Sequence, residues 1–496
     1  MFQVLVAIIA VCVAYLFWTA QRKPERAPPG PWRLPVLGNL LALGSTPHLS
    51  LQRLGKKYGG LFSLQLGERF VVVANDLDTV VEVLQKKGTK TAGRPRLLNL
   101  DAVTNNGDDM SLCSYGAQWR TLRKLAYASL FSKTRVQEIE PTIHEEVSFL
   151  LEELRQINKT PVDLHTSYKR FSMSVIGNLM FGRHFDKKED KDFETLYKAY
   201  DYVFEVCGNA NPADYFSPLR LLPSPERSKL SGVAESIYKF LGESWQQHKK
   251  ALNPEQPKDF IDQVMVHREK EEFAKQAEYM TDNRCLALLN DIFAAGIDTT
   301  STALEWFTLY MIHFPEVQKK IHAELDERIQ RKKEGQDNKG GLVVTTEQKD
   351  SLPYLNATIM ESLRFIAVAP FGVPHMVMED VEVQGYILPK GAMLLPNLYA
   401  AMMDDSVFVQ PDVFRPERFL EDPELMKKMV PFSLGPRQCP GNILADAELF
   451  VAISNMMYHF SFLPVDPKHL PSLEGVYGLT LHPKNFHVRV VPRQQA

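Results

Sequence analysis

Apolar residues follow two different periods along the chain, and these periods predict its elements. Residues 61–74 alternate between apolar and polar positions and then run through β-branched residues, which predicts a hairpin of two strands. From there to about Phe365, apolar residues recur at the i, i+3, i+4 spacing of helices. Short strand patterns return at residues 381–387 and 486–491. The pattern therefore predicts a mainly α fold with a smaller β-rich region.

The longest helical pattern begins near Thr281 and ends at Phe314, before Pro315. At the usual rise per residue such a helix spans roughly 50 Å, so we expect it to run through the centre of the molecule. Its middle holds Gly296 and a run of hydroxyl residues, which are weak helix formers and can bend a helix through bonds to its backbone. Taken alone, Gly296 favours a close crossing with another helix.

The first residues of the chain are almost uninterruptedly apolar, and roughly 20 such residues are enough to cross a bilayer as a helix. Arg22, Lys23 and Arg26 follow directly, whereas no positive charge precedes the run, which places the C-terminal side in the cytosol. We predict a membrane anchor at residues 1–21. The alternative is a cleaved signal peptide, which needs a basic start and a small-residue cleavage site, and neither is evident.

Closely spaced prolines between residues 22 and 39 fix the backbone and predict a stiff linker behind the anchor. A stretch rich in charge and glycine, residues 332–341, is predicted to be a solvated loop. No break in composition divides residues 40–496 convincingly, so we interpret them as a single domain.

Charge and cysteine usage exclude several classes of protein. A net charge of −3 gives no reason to expect nucleic acid as a partner. The five cysteines contain no CxxC pair, which argues against a disulfide framework or a zinc site. Cys113, Cys207 and Cys285 are interpreted as small buried hydrophobic residues. Cys439 differs from them because of its neighbours.

Cys439 lies in the pattern Phe-x-x-Gly-x-Arg-x-Cys-x-Gly, formed with Phe432, Gly435, Arg437 and Gly441. A thiolate bound to haem iron favours O–O cleavage. Glycines let backbone N–H groups turn toward the sulfur and temper its charge. An arginine can neutralise a haem propionate, and a helix that starts after Gly441 would point its positive end at the thiolate.

These residues, with further motifs, resemble the cytochrome P-450 family over essentially the whole chain. The resemblance implies the fold of that family, in which a long central helix covers haem b and Cys439 is the axial ligand of the iron. It also implies that Trp119 and Arg123, which share one face of a helix, contact a haem propionate. His375 is implied as another propionate contact.

Two more motifs carry roles implied by the resemblance. Glu361 and Arg364 match the family's E-x-x-R, and Arg418 matches its P-x-R-F element, which implies a buried structural triad. Such charges tolerate burial only when they are paired. Residues 295–300 match A-G-x-D-T-T over the distal face of the haem, where Asp298 and Thr299 deliver the protons that O–O cleavage needs and Gly296 leaves room for dioxygen.

The resemblance also places a substrate pocket whose quoted residues are mostly apolar, which implies a lipophilic substrate such as a steroid, a fatty acid or a xenobiotic. The predicted pocket residues are Phe293, Ala294, Ala295, Ala369, Phe371, Val373 and Leu479.

The electron supply and the compartment follow from the same resemblance. The sequence shows no flavin or GxGxxG dinucleotide segment, so electrons must reach the iron from outside. The resemblance and the anchor imply NADPH–cytochrome P-450 reductase as their source, with cytochrome b5 as a second partner. Arg120, Lys124, Lys427 and Lys428 either face that acidic reductase or are ordinary solvated charges. The anchor implies a single-pass protein of the endoplasmic reticulum membrane with its catalytic domain in the cytosol.

Finer motifs resemble the microsomal animal branch that includes drug-metabolising and steroid 17- and 21-hydroxylating enzymes, among them Pro28-Pro-Gly-Pro31. Asn442 departs from that pattern, where a glutamate is common. Two other functions remain open: a haem-thiolate isomerase or dehydratase that rearranges a peroxide without a reductase, and a non-enzymatic haem sensor or electron carrier. Asp298 and Thr299 favour the monooxygenase.

Overall fold

The structure is a computed structural model that describes residues 15, 18–157, 160–185, 191–329 and 342–493. Most of the predicted anchor at residues 1–21 and the whole of the predicted loop at 332–341 therefore lie outside the described residues. Within the described ranges, no helix is both long enough and apolar enough to cross a bilayer.

The strands form small sheets. They are Leu61–Leu66 (β1), Arg69–Ala74 (β2), Pro161–Val162 (β3), His375–Met376 (β4), Val381–Val383 (β5), Tyr386–Leu388 (β6), Met393–Pro396 (β7), Phe460–Pro464 (β8), Gly475–Tyr477 (β9), Leu481–Pro483 (β10) and Val488–Pro492 (β11). The largest sheet has the order β1-β2-β7-β4, in which β1 and β2 are antiparallel and β7 runs parallel to β2. The hairpin predicted at residues 61–74 is confirmed.

The region predicted as strand at residues 381–387 is a second hairpin, β5–β6. Its two turn residues, Gln384 and Gly385, have φ angles of 51° and 79°. Such left-handed turns match the right-handed twist of paired strands, which explains why the chain reverses at this point.

Helices make up most of the rest, as the sequence pattern predicts. They are Pro47–Tyr58 (α1), Leu77–Val81 (α2), Gly88–Thr91 (α3), Leu98–Val103 (α4), Ala117–Ala126 (α5), Lys133–Gln156 (α6), His165–Phe181 (α7), Lys191–Gly208 (α8), Pro225–Ala251 (α9), Phe260–Arg268 (α10), Glu271–Ala274 (α11), Asp282–His313 (α12), Pro315–Arg328 (α13), Pro353–Ile366 (α14), Leu398–Met402 (α15), Arg418–Glu421 (α16) and Asn442–His459 (α17).

Helix α12 is the long central helix that the sequence predicts. The Thr281 hydroxyl caps its N-terminus by accepting the Arg284 N–H, and the helix ends where Pro315 begins α13. Most of α12 is buried, and it packs against α7, α14 and α17. A helix that is apolar around most of its circumference must lie inside a protein, and this position makes it a wall for any internal site.

The linker lies along β1. Ser63 donates its backbone N–H to the Pro29 carbonyl oxygen at 2.6 Å, and a Cβ atom added to Gly30 would lie 1.9 Å from the Ser63 carbonyl oxygen. Only a glycine therefore fits between Pro29 and Pro31. The linker is therefore held against β1, at the edge of the main sheet.

Candidate active site

An internal cavity lies where α12, α14, α17 and the loop that precedes α17 meet. The centre of a water molecule can move through about 290 Å³ of it. One wall is formed by a face of α12 that includes Ala295, Gly296 and Thr299, and Cys439 lines the same cavity from the loop. The structure thus brings together two motifs that are far apart in the sequence.

The loop that carries Cys439 is held by backbone contacts. The Cys439 N–H donates to the Phe432 carbonyl oxygen at 2.9 Å. Gly435 has a φ of 70°, and a Cβ atom at this position would lie 1.8 Å from the Leu84 carbonyl oxygen, so a glycine is required for steric reasons. Gly441 is the N-cap of α17. The predicted roles of Gly435 and Gly441 in shaping this loop agree with this geometry.

The environment of the Cys439 sulfur acts on its pKa in two directions. Burial raises the pKa of the thiol, whereas a hydrogen bond from the Gly441 backbone and the charge of Arg123 lower it in part. Arg123 also donates to the Gln438 carbonyl oxygen beside Cys439. A cysteine at the start of a helix, with a backbone N–H aimed at its sulfur, is suited to bind a metal cation as a thiolate.

Two buried arginines lie at the wall of the cavity without forming a salt bridge among the described residues. Arg94 donates to the carbonyl oxygens of Ser111, Val373 and Pro374. Arg437 likewise donates to the backbone carbonyl oxygens of Ala92, Met110 and Cys113. Burial lowers the pKa of Arg94 well below its usual range and that of Arg437 to about 10.

Asp109 and Asp291 offset part of this charge, and the two propionate groups of haem b would supply the rest. Trp119 lies against this charge, since the Arg437 guanidinium is 5.0 Å from the centre of its ring. His375 lines the cavity and donates from Nδ1 to the Thr91 carbonyl oxygen at 2.9 Å, so its Nε2 can donate to a propionate only when the ring is in the imidazolium form. The structure therefore brings together Trp119, Arg123, His375 and Arg437 where the resemblance implies haem contacts.

The sequence allows two interpretations of Gly296, a close helix crossing and room beside the haem, and the structure agrees with both a crossing and a place at the cavity. A Cβ atom at this position would lie 3.0 Å from the Ile176 side chain, so α12 and α7 do cross closely here. Gly296 also lines the cavity one turn before Thr299, whose hydroxyl donates to the Ala295 carbonyl oxygen at 2.8 Å. The close helix crossing that Gly296 alone favours is therefore present in the structure.

Asp298 differs from its predicted placement on the distal face. Its carboxylate is fully buried and is absent from the cavity wall. It lies 3.3 Å from Lys169 Nζ and 3.2 Å from His482 Nε2, and it accepts a hydrogen bond from the Thr480 hydroxyl. Burial would raise the pKa of Asp298, but His482, Lys169 and Thr480 lower it below its usual value. Asp298 is therefore an ionised group behind the wall.

The predicted pocket residues divide into two groups. Ala295, Ala369, Phe371 and Val373 line the cavity, whereas Phe293, Ala294 and Leu479 do not. A helix turns once every 3.6 residues, so when Ala295 and Thr299 face the cavity, Phe293 and Ala294 point elsewhere. Phe293 is packed among the rings of Phe181, Phe185 and Tyr200, and Ile292 takes its place at the wall.

The triad implied by the resemblance is present away from the cavity. Arg364 binds Glu361 through two N–H groups at 2.8 and 2.9 Å, and Arg418 Nε lies 3.1 Å from the same carboxylate. All three side chains are at most 1% exposed. Further N–H groups of the arginines donate to backbone carbonyl oxygens, such as that of Met402.

Sequence reasoning missed three charged residues of the cavity wall: Arg94, Asp291 and Glu448. Asp291 accepts the Ser111 N–H at 2.8 Å. Glu448 accepts the Thr300 hydroxyl at 3.1 Å, and burial raises its pKa to about 8. A signal was available for Glu448, since an acidic residue in the otherwise apolar stretch of α17 needs a partner or a function.

Comparison with known proteins agrees with this site. The cytochrome P-450 family profile matches residues 28–490. The chain is 32% identical over 477 residues to a steroid 17-alpha-hydroxylase/17,20 lyase of Ictalurus punctatus, which covers 94% of this chain and 90% of the relative. It is 33% identical over 520 residues to cytochrome P-450 2U1 of Bos taurus, covering 98% and 93% of the two chains. Cytochrome P-450 1A1 of Pleuronectes platessa is 32% identical over 516 residues, covering 99% and 96%.

A solved structure of a zebra fish cytochrome P-450 with abiraterone has a TM-score of 0.78 at 30% identity and covers 91% of this chain and 100% of its own. The mainly helical fold and the cysteine loop that lines the internal cavity define a protein of the haem-thiolate class. The chain belongs to the cytochrome P-450 family, and it is an oxidoreductase of the monooxygenase type.

Proposed function

We propose that the protein is a membrane-anchored monooxygenase that inserts one oxygen atom from dioxygen into a lipophilic small molecule, with electrons from NADPH. One observation carries the proposal: Cys439, Thr299 and the two arginines without a salt bridge, Arg94 and Arg437, line a single apolar cavity. The Cys439 thiol suits a haem that is bound through sulfur, and the two arginines suit the negative charges of its two propionates. The Thr299 hydroxyl would be the proton donor beside it.

When bound, the haem would supply the activation of oxygen. The surrounding residues would hold the haem and deliver the protons that the reaction needs. Cys439 would bind the iron through Sγ, while Arg94, Arg437, Trp119 and His375 would hold the propionates. Thr299 Oγ1 faces the cavity, where it would hold a proton for delivery to the haem side, and its hydrogen bond to the Ala295 carbonyl oxygen keeps the hydroxyl in place. Asp298, the preceding residue, is the buried carboxylate through which that proton would be replaced.

The cavity supports a lipophilic substrate. Ile292, Ala295, Ala369 and Phe371 give it apolar walls, and Asp291 adds a polar group that can orient a hydrogen-bond donor. Relatives of this chain are named as steroid 17-alpha-hydroxylase/17,20 lyases, and the zebra fish structures contain abiraterone and progesterone. We therefore propose a steroid or a xenobiotic of similar size as the substrate class, with fatty acids as the next class to test.

Electrons would come from NADPH–cytochrome P-450 reductase, with cytochrome b5 as a second donor, at the cytosolic face of the endoplasmic reticulum. Of the four basic residues proposed to face the reductase, Lys124 is paired with Glu272 at 2.6 Å and Lys427 with Glu424 at 2.7 Å. Arg120 and Lys428 are exposed and form no salt bridge among the described residues. These two residues are the better candidates for contacts with an acidic partner.

The function is tested by reconstituting the haem-bound enzyme with reductase and NADPH under labelled dioxygen. Steroids, fatty acids and xenobiotics that shift the haem spectrum are the compounds to incubate. We expect a product that carries one labelled oxygen atom and forms only when NADPH and reductase are present. Product formation from a peroxide without either component would instead support the isomerase or dehydratase alternative.

Replacing Thr299 with alanine is expected to divert electrons from product to hydrogen peroxide, because the hydroxyl that delivers protons in the cavity is lost. The yield of product per NADPH should fall by about 10-fold or more, while haem content stays the same. The measurement is the ratio of peroxide to product. Ser301→Ala is the matched control, because Ser301 lies on the same helix, is buried and bonds only its own helix among the described residues. If wild type and Thr299→Ala gave the same amount of product per NADPH, Thr299 would not be the residue that delivers the protons.

A further inference from the structure

A cluster of polar side chains lies behind the cavity wall, on the side of α12 that faces away from it. Asp298 is its centre, with Lys169 of α7 on one side and Thr480 and His482, beside and within β10, on the other. Asp298 is fully buried, whereas the His482 side chain is 25% exposed. The cluster thus extends from near the protein surface to the residue that precedes Thr299.

The donors and acceptors of this cluster can be ordered. An ionised carboxylate only accepts hydrogen bonds, so the Thr480 hydroxyl must donate its single proton to Asp298. The Thr480 oxygen is then free to accept a bond from His482 Nε2, which lies 2.8 Å away. Nε2 also lies 3.2 Å from the Asp298 carboxylate, and an unprotonated nitrogen there would set its lone pair against a negative oxygen. The proton of a neutral His482 therefore lies on Nε2.

The Thr302 hydroxyl allows the other nitrogen of His482, Nδ1, to be protonated or unprotonated. His482 Nδ1 lies 3.1 Å from the Thr302 hydroxyl, which has no other hydrogen bond among the described side chains. A hydroxyl can donate to a bare Nδ1 or, after rotation, accept from a protonated one. Both charge states of His482 therefore keep their hydrogen bonds, and the ring can take up a proton without leaving a polar atom unpaired.

The remaining charges hold Asp298 in place. Lys169 Nζ lies 3.3 Å from one Asp298 oxygen and 2.7 Å from Asp201, whose side chain is half exposed. The His165 ring, which is paired with Glu305 at 2.8 Å, is 6.3 Å from the His482 ring. Tyr197 of α8 is the other titratable group near Lys169. Lys169 thus neutralises Asp298 from one side, and Thr480 and His482 contact it from the other.

We infer that His482 and Thr480 form a relay that passes protons from solvent to Asp298. A proton that arrives at Nδ1 allows the Nε2 proton to move to Thr480 Oγ1, and the Thr480 proton moves to Asp298. One proton enters and one carboxylate is neutralised, with no change of redox state. Neutral Asp298 is no longer attracted by Lys169, so its side chain can turn toward Thr299. This role rests on the proposed function, because the proton is used in oxygen activation.

The order of hydrogen bonds is tested without turnover. In the haem-bound, reduced carbon monoxide form with labelled histidine, the nitrogen chemical shifts of His482 report which nitrogen carries the proton. The signal is identified by its loss in His482→Gln. We expect the Nε2–H form, and we expect Thr480→Val to shift it while Thr480→Ser and the control His469→Gln leave it in place. A neutral ring protonated on Nδ1, or a signal unaffected by Thr480→Val, overturns the relay.

The consequence for catalysis is tested in the reconstituted system. Thr480→Val and His482→Gln should each lower product per NADPH by about 3-fold to 10-fold and raise the solvent isotope effect, and Thr480→Ser should restore both. His469 is exposed and is paired with Asp466 rather than with a residue of the cluster, so His469→Gln should form as much product per NADPH as wild type. Normal coupling in Thr480→Val contradicts the relay while leaving the monooxygenase intact. A wild-type enzyme that forms no oxygenated product contradicts the proposed function instead, and the nuclear magnetic resonance result then still decides the hydrogen-bond order.

Discussion

Replacing Glu361 with glutamine is expected to lower the free energy of unfolding by about 3–5 kcal/mol. The substitution keeps the shape of the side chain but leaves Arg364 and Arg418 buried, at most 1% exposed, with no carboxylate between them. A domain is stabilised by only about 5–15 kcal/mol in total, so most of the variant should unfold or fail to retain haem at physiological temperature. The measurement is urea unfolding, together with the yield of haem-bound protein.

Glu424→Gln is the matched control for this experiment. Glu424 is also paired with a cation, Lys427 at 2.7 Å, but both side chains are at least 70% exposed. Solvent screens such pairs, so the expected change is within about 0.5 kcal/mol. If Glu361→Gln were as mild as the control, the triad would not be a structural element of this fold.

The sequence predicts the elements of this fold well where local rules decide them. The bounds of α12 follow from an apolar run between the Thr281 cap and Pro315, and the hairpin of β1 and β2 follows from its alternating pattern. The loop around Cys439 is recognisable from its motif, in which Gly435 is required because a Cβ atom there would lie 1.8 Å from the Leu84 carbonyl oxygen. In each case the information lies within a few neighbouring residues.

The orientation of individual side chains could not be predicted in the same way. Because α12 is apolar around most of its circumference, its sequence does not show which residues face the cavity, and Phe293 was assigned to the wrong side. Asp298 is turned away from the cavity by Lys169 and His482, which are distant in the sequence. Arg94 and Glu448 become recognisable only when the fold brings them to the same wall as Cys439.

Replacing Cys439 with alanine is expected to remove the ligand that defines this class of haem protein. Alanine keeps the small volume of the site, and the backbone bond from the Cys439 N–H to the Phe432 carbonyl oxygen does not involve the side chain. The arginines at the cavity wall also remain, so the variant should still bind some haem. It should nevertheless lose all monooxygenase activity, because without the thiolate the electron donation that favours O–O cleavage is absent.

The absorption spectrum of the reduced carbon monoxide complex tests this claim most directly. Wild type should show the spectrum of a thiolate-ligated haem, and Cys439→Ala should show none of it at equal haem content. Cys285→Ala is the control, because this cysteine is also buried but lies away from the cavity on α12, and it should give the wild-type spectrum. A thiolate-type spectrum that survives in Cys439→Ala, or that is missing from haem-loaded wild type, would contradict the account.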